Sequence, residues 1–223
     1  MEHLVKTTRL STVFSRFAAL ICLGVFTLTG CVNANGQFSI SQLQEQPLSL
    51  DVPVFQQSRS TSCGEAVITM TYNYSHPEAP LTEQEVIEYA LANGYFTESL
   101  SPFTSPENMV KIAEHYSDDV SSGTVTSSRQ GLTLLVENLL EGAPVVIDVL
   151  SDFSDPQSEA HFVVVTGLSV DASRDNAVII HYNDPLTGTK EMADWLGDEG
   201  VWNAWITNQD PGGPGWWLVI NPP

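Results

Sequence analysis

The chain predicts an α+β domain in which N-terminal helices pack on a C-terminal antiparallel sheet. Two observations carry that expectation. Between Ser62 and Gly142, apolar residues recur at helical spacing behind recognisable N-caps. After Pro144 the period changes to short Val- and Ile-rich runs bounded by Asp, Ser, Gly and Pro, the pattern of strands. Helices followed by strands, without βαβ alternation, define the class.

Ser62-x-x-Glu65 reads as a capping box, with Ser62 as N-cap and Cys63 as the first helical residue. Val67, Met70, Thr71 and Tyr74 follow at helical spacing. Val67, Ile68, Thr69 and Thr71 are β-branched and poor helix formers, so this helix needs burial to persist. A second helix, about 82–92, has Thr82-x-x-Glu85 as its box and Leu81 with Val86 as a hydrophobic staple. Asn93-Gly94 ends it. A third begins at Ser105-Pro106, with Met109, Ile112, Ala113 and Tyr116 on one face. A fourth spans about 129–141, with Leu132, Leu135 and Leu139 inward and Gly142 closing it. Strands follow at Val145–Leu150, His161–Leu168, Ala177–Tyr182 and Trp216–Ile220. Asp171-x-Ser173-x-Asp175 lacks the glycine and distal glutamate of a calcium loop and reads as a hairpin turn. The five tryptophans, Trp195, Trp202, Trp205, Trp216 and Trp217, read as core before they read as the wall of a substrate cleft.

The N-terminus indicates where the protein works. Residues 1–30 form an export signal: Lys6, Arg9 and Arg16 supply the positive region, and Phe17–Leu28 the apolar one. That apolar run is about a dozen residues, against the ~20 of a membrane-spanning helix. Leu28-Thr29-Gly30-Cys31 resembles a bacterial lipobox, which implies cleavage before Cys31 and lipid on its sulfur. Val32 follows where an aspartate would retain such a lipoprotein at the inner membrane, so the outer membrane of the bacterial envelope is the expected address. Residues 31–50 then form a lipidated linker, and 51–223 the folded domain. Cys22 leaves with the signal and Cys31 carries lipid, so Cys63 is the only free thiol expected. An unpaired cysteine in an exported chain marks a reactive group.

The formal net charge is −19, and three of the eight basic residues lie in the signal with one of the 27 acids, which leaves the mature chain at −21. Such a field excludes nucleic acid and anionic lipid as natural partners. It serves solubility, or else it attracts a basic peptide or protein substrate.

Cys63 at the first turn of a helix sits where backbone N–H groups and the macrodipole favour a thiolate. A nucleophile needs a base, and His161 is the candidate: it opens an apolar strand after the polar loop Ser151–Ala160. The base needs an orienting group, and the next strand ends in two candidates, Asn183 and Asp184. His76, His115 and His181 read as structural. No His-Glu-x-x-His, Cys-x-x-Cys, Gly-x-Ser-x-Gly or phosphate-loop pattern occurs, so neither metal nor cofactor is expected.

Val52-Pro53, Gln56-Gln57, Cys63-Gly64-Glu65-Ala66, His161-Phe-Val-Val-Val-Thr-Gly and Asn183-Asp184-Pro185 with Gly188 occur in that order. Together they resemble the papain-like cysteine peptidases that process bacteriocin leaders, family 39 of the cysteine peptidases, over about 51–190. The resemblance implies a papain-like fold, with Cys63 as nucleophile, His161 as general base and acid, and Asp184 as orienting carboxylate. It selects Gln57, six residues before the cysteine, as the oxyanion-hole side chain beside the Cys63 backbone N–H. Glu65 departs from the small residue or proline usual at its position and places a carboxyl next to the nucleophile. The expected activity is hydrolysis of a peptide or amide bond. Two other readings stand beside it: acyl transfer to an amine, as in phytochelatin-synthase-like transpeptidases, and a catalytically silent binding module.

Overall fold

Helices between Cys63 and Leu140 precede the strands that begin at Val145, in a computed structural model that describes residues 43–44 and 46–222. Two strands fall before or among those helices, and a further helix falls before the last strand. The expected export signal, the expected lipidation site Cys31 and most of the expected linker lie outside the described residues. A two-residue strand β1 (Leu48–Ser49) leads to α1 (Cys63–Ser75), α2 (Glu83–Ala92) and α3 (Pro106–Tyr116). Then come β2 (Val120–Thr124), α4 (Ser128–Leu140), β3 (Val145–Leu150), β4 (Ala160–Asp171), β5 (Ala177–Asp184), β6 (Thr189–Asp194), α5 (Val201–Thr207) and β7 (Trp216–Ile220). The sheet runs β2-β7-β3-β4-β5-β6, with β1 added to β4, and all the described pairings are antiparallel. The class is α+β, as expected.

Burial on both faces explains the all-apolar central strands. Val146, Phe162, Val164, Leu218 and Ile220 pack against α1, α2 and α3. Val145, Ile147, Val149, Val163 and Val165 point the other way, onto α4, α5 and Trp205. Alternate residues of β3 thus enter different cores, which removes the polar-outward alternation of a one-sided sheet. The same burial holds α1 together. Val67 and Ile68 each cost about 0.5 kcal/mol in helix propensity. Full burial of each contributes roughly 2 kcal/mol, and both are inaccessible.

The expected caps of α2 and α3 are present. The Thr82 N–H donates to Glu85 Oε2 at 2.7 Å, and the Glu85 N–H donates back to the Thr82 hydroxyl. Ser105 caps α3 ahead of Pro106. The Asp171 segment is a turn: Asp171 accepts from the Ser173 N–H, and Asp175 adopts a left-handed conformation. Trp195, Trp205 and Trp216 are buried, with Trp202 and Trp217 packed against the same cores.

The capping box expected at α1 does not form. Ser62 makes no side-chain cap to the helix; its hydroxyl donates to Glu83 Oε1 at 2.7 Å. Glu65 turns inward instead and accepts from the Thr104 hydroxyl at 2.7 Å. Partners brought in by tertiary folding outcompete the local reciprocal pair. Four elements carried no sequence expectation: β1, β2, β6 and α5.

Candidate active site

Cys63 opens α1, half-buried and with a free thiol. His161 lies at the start of β4, 6% exposed, and Asp184 is the last residue of the neighbouring β5. Strand pairing brings the two together, and His161 Nε2 lies 2.7 Å from Asp184 Oδ1. With Nε2 engaged there, Nδ1 is the ring nitrogen left for Cys63. Burial alone would lower the His161 pKa. Hydrogen bonds to Asp184 and Cys63, with their charges, override it and raise the value to about 10. Burial works against Asp184 as well, yet the His161 interaction and the Leu186 and Thr187 N–H groups hold its carboxyl below the usual range. A protonated His161 beside the Asp184 carboxylate and hydrogen-bonded to Cys63 is the state this geometry favours.

Asn183 goes elsewhere. It is fully buried, and its Nδ2 donates to the carbonyls of Val52 and Pro53 at 3.2 Å each. It therefore anchors the entry segment, and Asp184 is the group beside His161.

Gln57 sits on a loop fixed to that same corner. Its N–H donates to the Pro185 carbonyl at 2.8 Å, and Gln56 Nε2 donates to the Leu186 carbonyl at 3.1 Å. The turn that carries them contains Gly188, at φ +71°, where a Cβ would come within 2.7 Å of the Gln56 backbone N. Only glycine allows this approach. The Gln57 side-chain amide donates to the Arg59 carbonyl at 2.7 Å, which leaves its second N–H free.

Glu65, the departure beside the nucleophile, is inaccessible and does not enter the cleft. Burial raises its pKa to about 7 despite the Thr104 hydrogen bond, so its charge near Cys63 is reduced at neutrality and largely gone by about one pH unit lower. The three other described histidines have structural partners: His76 stacks on Tyr72, His115 on Tyr89, and His181 Nε2 lies 2.7 Å from the Ser169 hydroxyl.

Two groups had no distinguishing sequence signal. Glu83 is an acid in the first turn of α2, a common place for one, but its carboxylate is directed at the segment before Cys63. Asp148 is a carboxyl in the middle of β3, fully buried with neither oxygen hydrogen-bonded. Asn208 Oδ1 and Asp148 Oδ2 converge on Gly213, where a Cβ would collide with both. Burial and then the Asp210 charge push the Asp148 pKa well above the usual carboxylate value, with His161 opposing. The folded state thus keeps a proton that the unfolded state loses near pH 4. Stability is complete below that pH and is lost as pH rises toward the folded value. Asp148→Asn removes this cost. Its melting temperature should exceed that of wild type at pH 8, with the difference closing near pH 4. Thermal melts across that range check it, and a pH-independent difference would contradict the assignment.

Among the described residues, no group of His, Cys, Asp and Glu is arranged to hold a metal ion, and no helix is long and apolar enough to cross a membrane. The helices, the antiparallel sheet and the cysteine at a helix start facing a strand-borne histidine are those of a papain-like peptidase domain. A family model, the Peptidase_C39 like family, matches residues 49–210, and the chain belongs to that family. No match was found among curated proteins.

Proposed function

We propose that the domain is a cysteine peptidase or amidase, with Cys63 as nucleophile, His161 as acid and base, Asp184 as its orienter and Gln57 in the oxyanion hole. The observation that carries this reading is the placement of His161 between Asp184 and Cys63. Cys63 Sγ attacks the substrate carbonyl, forming a C–S bond, and His161 delivers its proton to the amine as the C–N bond breaks. Water then attacks the thioester with His161 as base, which releases the acid and restores the thiolate–imidazolium pair. The negative charge on the carbonyl oxygen in both steps is met by the Cys63 N–H and the free Gln57 N–H, a donor of the kind worth about 3 kcal/mol. The enzyme works from the bacterial envelope, held by lipid on Cys31. The acidic chain, with its formal charge of −19, suits basic peptide substrates.

Iodoacetamide alkylation at pH 6, with the modified residue mapped, tests the reactive pair. Cys63 should react at least ~10-fold faster than a free cysteine peptide, and His161→Ala should return it to the peptide rate. A wild-type rate equal to the peptide's would refute the paired thiolate and leave the binding-module reading.

A further inference from the structure

The five residues before Cys63 form a loop whose shape is held from outside. Glu83, nine-tenths buried in the first turn of α2, takes the Ser58 N–H on both oxygens, at 2.9 and 3.1 Å, and the Ser62 hydroxyl at 2.7 Å. Ser58 and Ser62 flank the turn that contains Arg59. Inside it, the Arg59 N–H meets the Ser62 hydroxyl at 3.2 Å, and the Ser62 N–H donates to the Arg59 carbonyl at 3.3 Å. That same carbonyl receives the Gln57 side-chain amide at 2.7 Å. A continuous set of hydrogen bonds therefore runs from the Glu83 carboxylate, through both ends of the turn, to the amide of Gln57.

We infer that Glu83 is a positioning residue for the oxyanion hole: by clamping Ser58 and Ser62 it sets the Arg59 carbonyl, which aims the Gln57 amide. This rests on the proposed acyl chemistry of Cys63. A carboxylate so close to the nucleophile acts through geometry, since its charge would oppose a thiolate. Glutamine should therefore replace it: Oε1 accepts from the Ser58 N–H, Nε2 donates to the Ser62 hydroxyl, and that hydroxyl turns to the Arg59 carbonyl, 3.1 Å away. Aspartate, one methylene shorter, cannot span both serines.

Two reactions of the same thiol separate this role from general damage. Acylation by p-nitrophenyl acetate passes through an oxyanion; alkylation by iodoacetamide does not. Glu83→Ala and Glu83→Asp should slow acylation by roughly 10–30-fold and alter alkylation by less than about 2-fold, and Glu83→Gln should stay within about 3-fold in both. Gln57→Ala should cost about 100-fold in acylation, and adding Glu83→Ala to it should cost nothing more. An equal loss on the Gln57→Ala background, a matched loss in alkylation, or full acylation by Glu83→Asp overturns the assignment. Wild-type protein that alkylates but shows no acylation of Cys63, or a silent Gln57→Ala, overturns the acyl chemistry itself and Glu83's role with it.

Discussion

Cys63→Ala is expected to lose hydrolytic turnover by on the order of 10^4-fold or more while melting within a few degrees of wild type. The two halves of this expectation have separate causes. The sulfur is the group on α1 that partners His161, and on the proposed mechanism it forms the bond to the substrate carbonyl. Its packing role is slight, because Cys63 is half-buried at the helix start and only touches the cluster built on Val67, Ile68 and Met70. Deleting one partly exposed atom costs well under 1 kcal/mol by burial. Cys63→Ser separates nucleophile from shape: it keeps the space and the helix start, but a hydroxyl does not form a stable anion beside an imidazolium. It should fall nearly as far as the alanine variant. His161→Ala should lose about 10^3-fold or more, since it removes the proton donor for the leaving amine as well as the partner of the thiolate. Burst kinetics with p-nitrophenyl acetate, read beside thermal melts, check all three variants. A Cys63→Ala protein within 10-fold of wild type would end the proposal.

Most of the fold was legible because its signals are local. The Thr82–Glu85 box, Pro106 at the first position of α3 and the Val-rich run of β3 each follow from residues within one turn or one strand. The elements without a sequence expectation draw their structure from partners. β6 reads Thr-Lys-Glu-Met-Ala-Asp, with four exposed residues in succession, and exists because the Gly188 turn returns the chain along β5. β2, Val-Ser-Ser-Gly-Thr, is a polar edge paired with the apolar β7. The short α5 is rich in Trp, Val and Ile, with no side-chain cap, and its buried Trp205 donates to the Trp216 carbonyl. At the site, the strand ends offered His161 and either Asn183 or Asp184 beside it, and only the family resemblance selected Asp184. The Ser62–Glu65 misreading shows the limit. Both residues have the spacing of a reciprocal cap, but Glu83 reaches Ser62 from 21 positions away and Thr104 reaches Glu65 from 39. A burial of that kind is invisible to a four-residue pattern.

The pair at His161 sets a second large effect, on the pH dependence of turnover. The histidine's pKa is raised from 6.5 to about 10, so the imidazolium persists through neutrality and is lost as pH rises through about 10. Stability linked to this pair has the same sign: it is complete below pH 6.5 and disappears across that alkaline interval. The wild-type kcat profile should therefore fall on its alkaline side near pH 10. Asp184 supplies part of the shift by hydrogen bond and charge, and its Oδ1 also accepts from the Leu186 N–H at 2.7 Å, which shapes the turn against which Gln56 and Gln57 are anchored. Its two substitutions therefore diverge. Asp184→Asn keeps an acceptor for both Leu186 and His161 but loses the charge, so the alkaline limb should move down by about one unit with kcat reduced roughly 10-fold. Asp184→Ala loses the turn as well, and kcat should fall about 10^2- to 10^3-fold. The loss should be larger in acylation than in iodoacetamide alkylation, because the displaced turn anchors the loop of the oxyanion donor Gln57 while the thiolate requires only a charged His161. An alkaline limb unmoved by Asp184→Asn would mean that Cys63 alone raises the histidine, and that Asp184 holds the ring in place without tuning its charge.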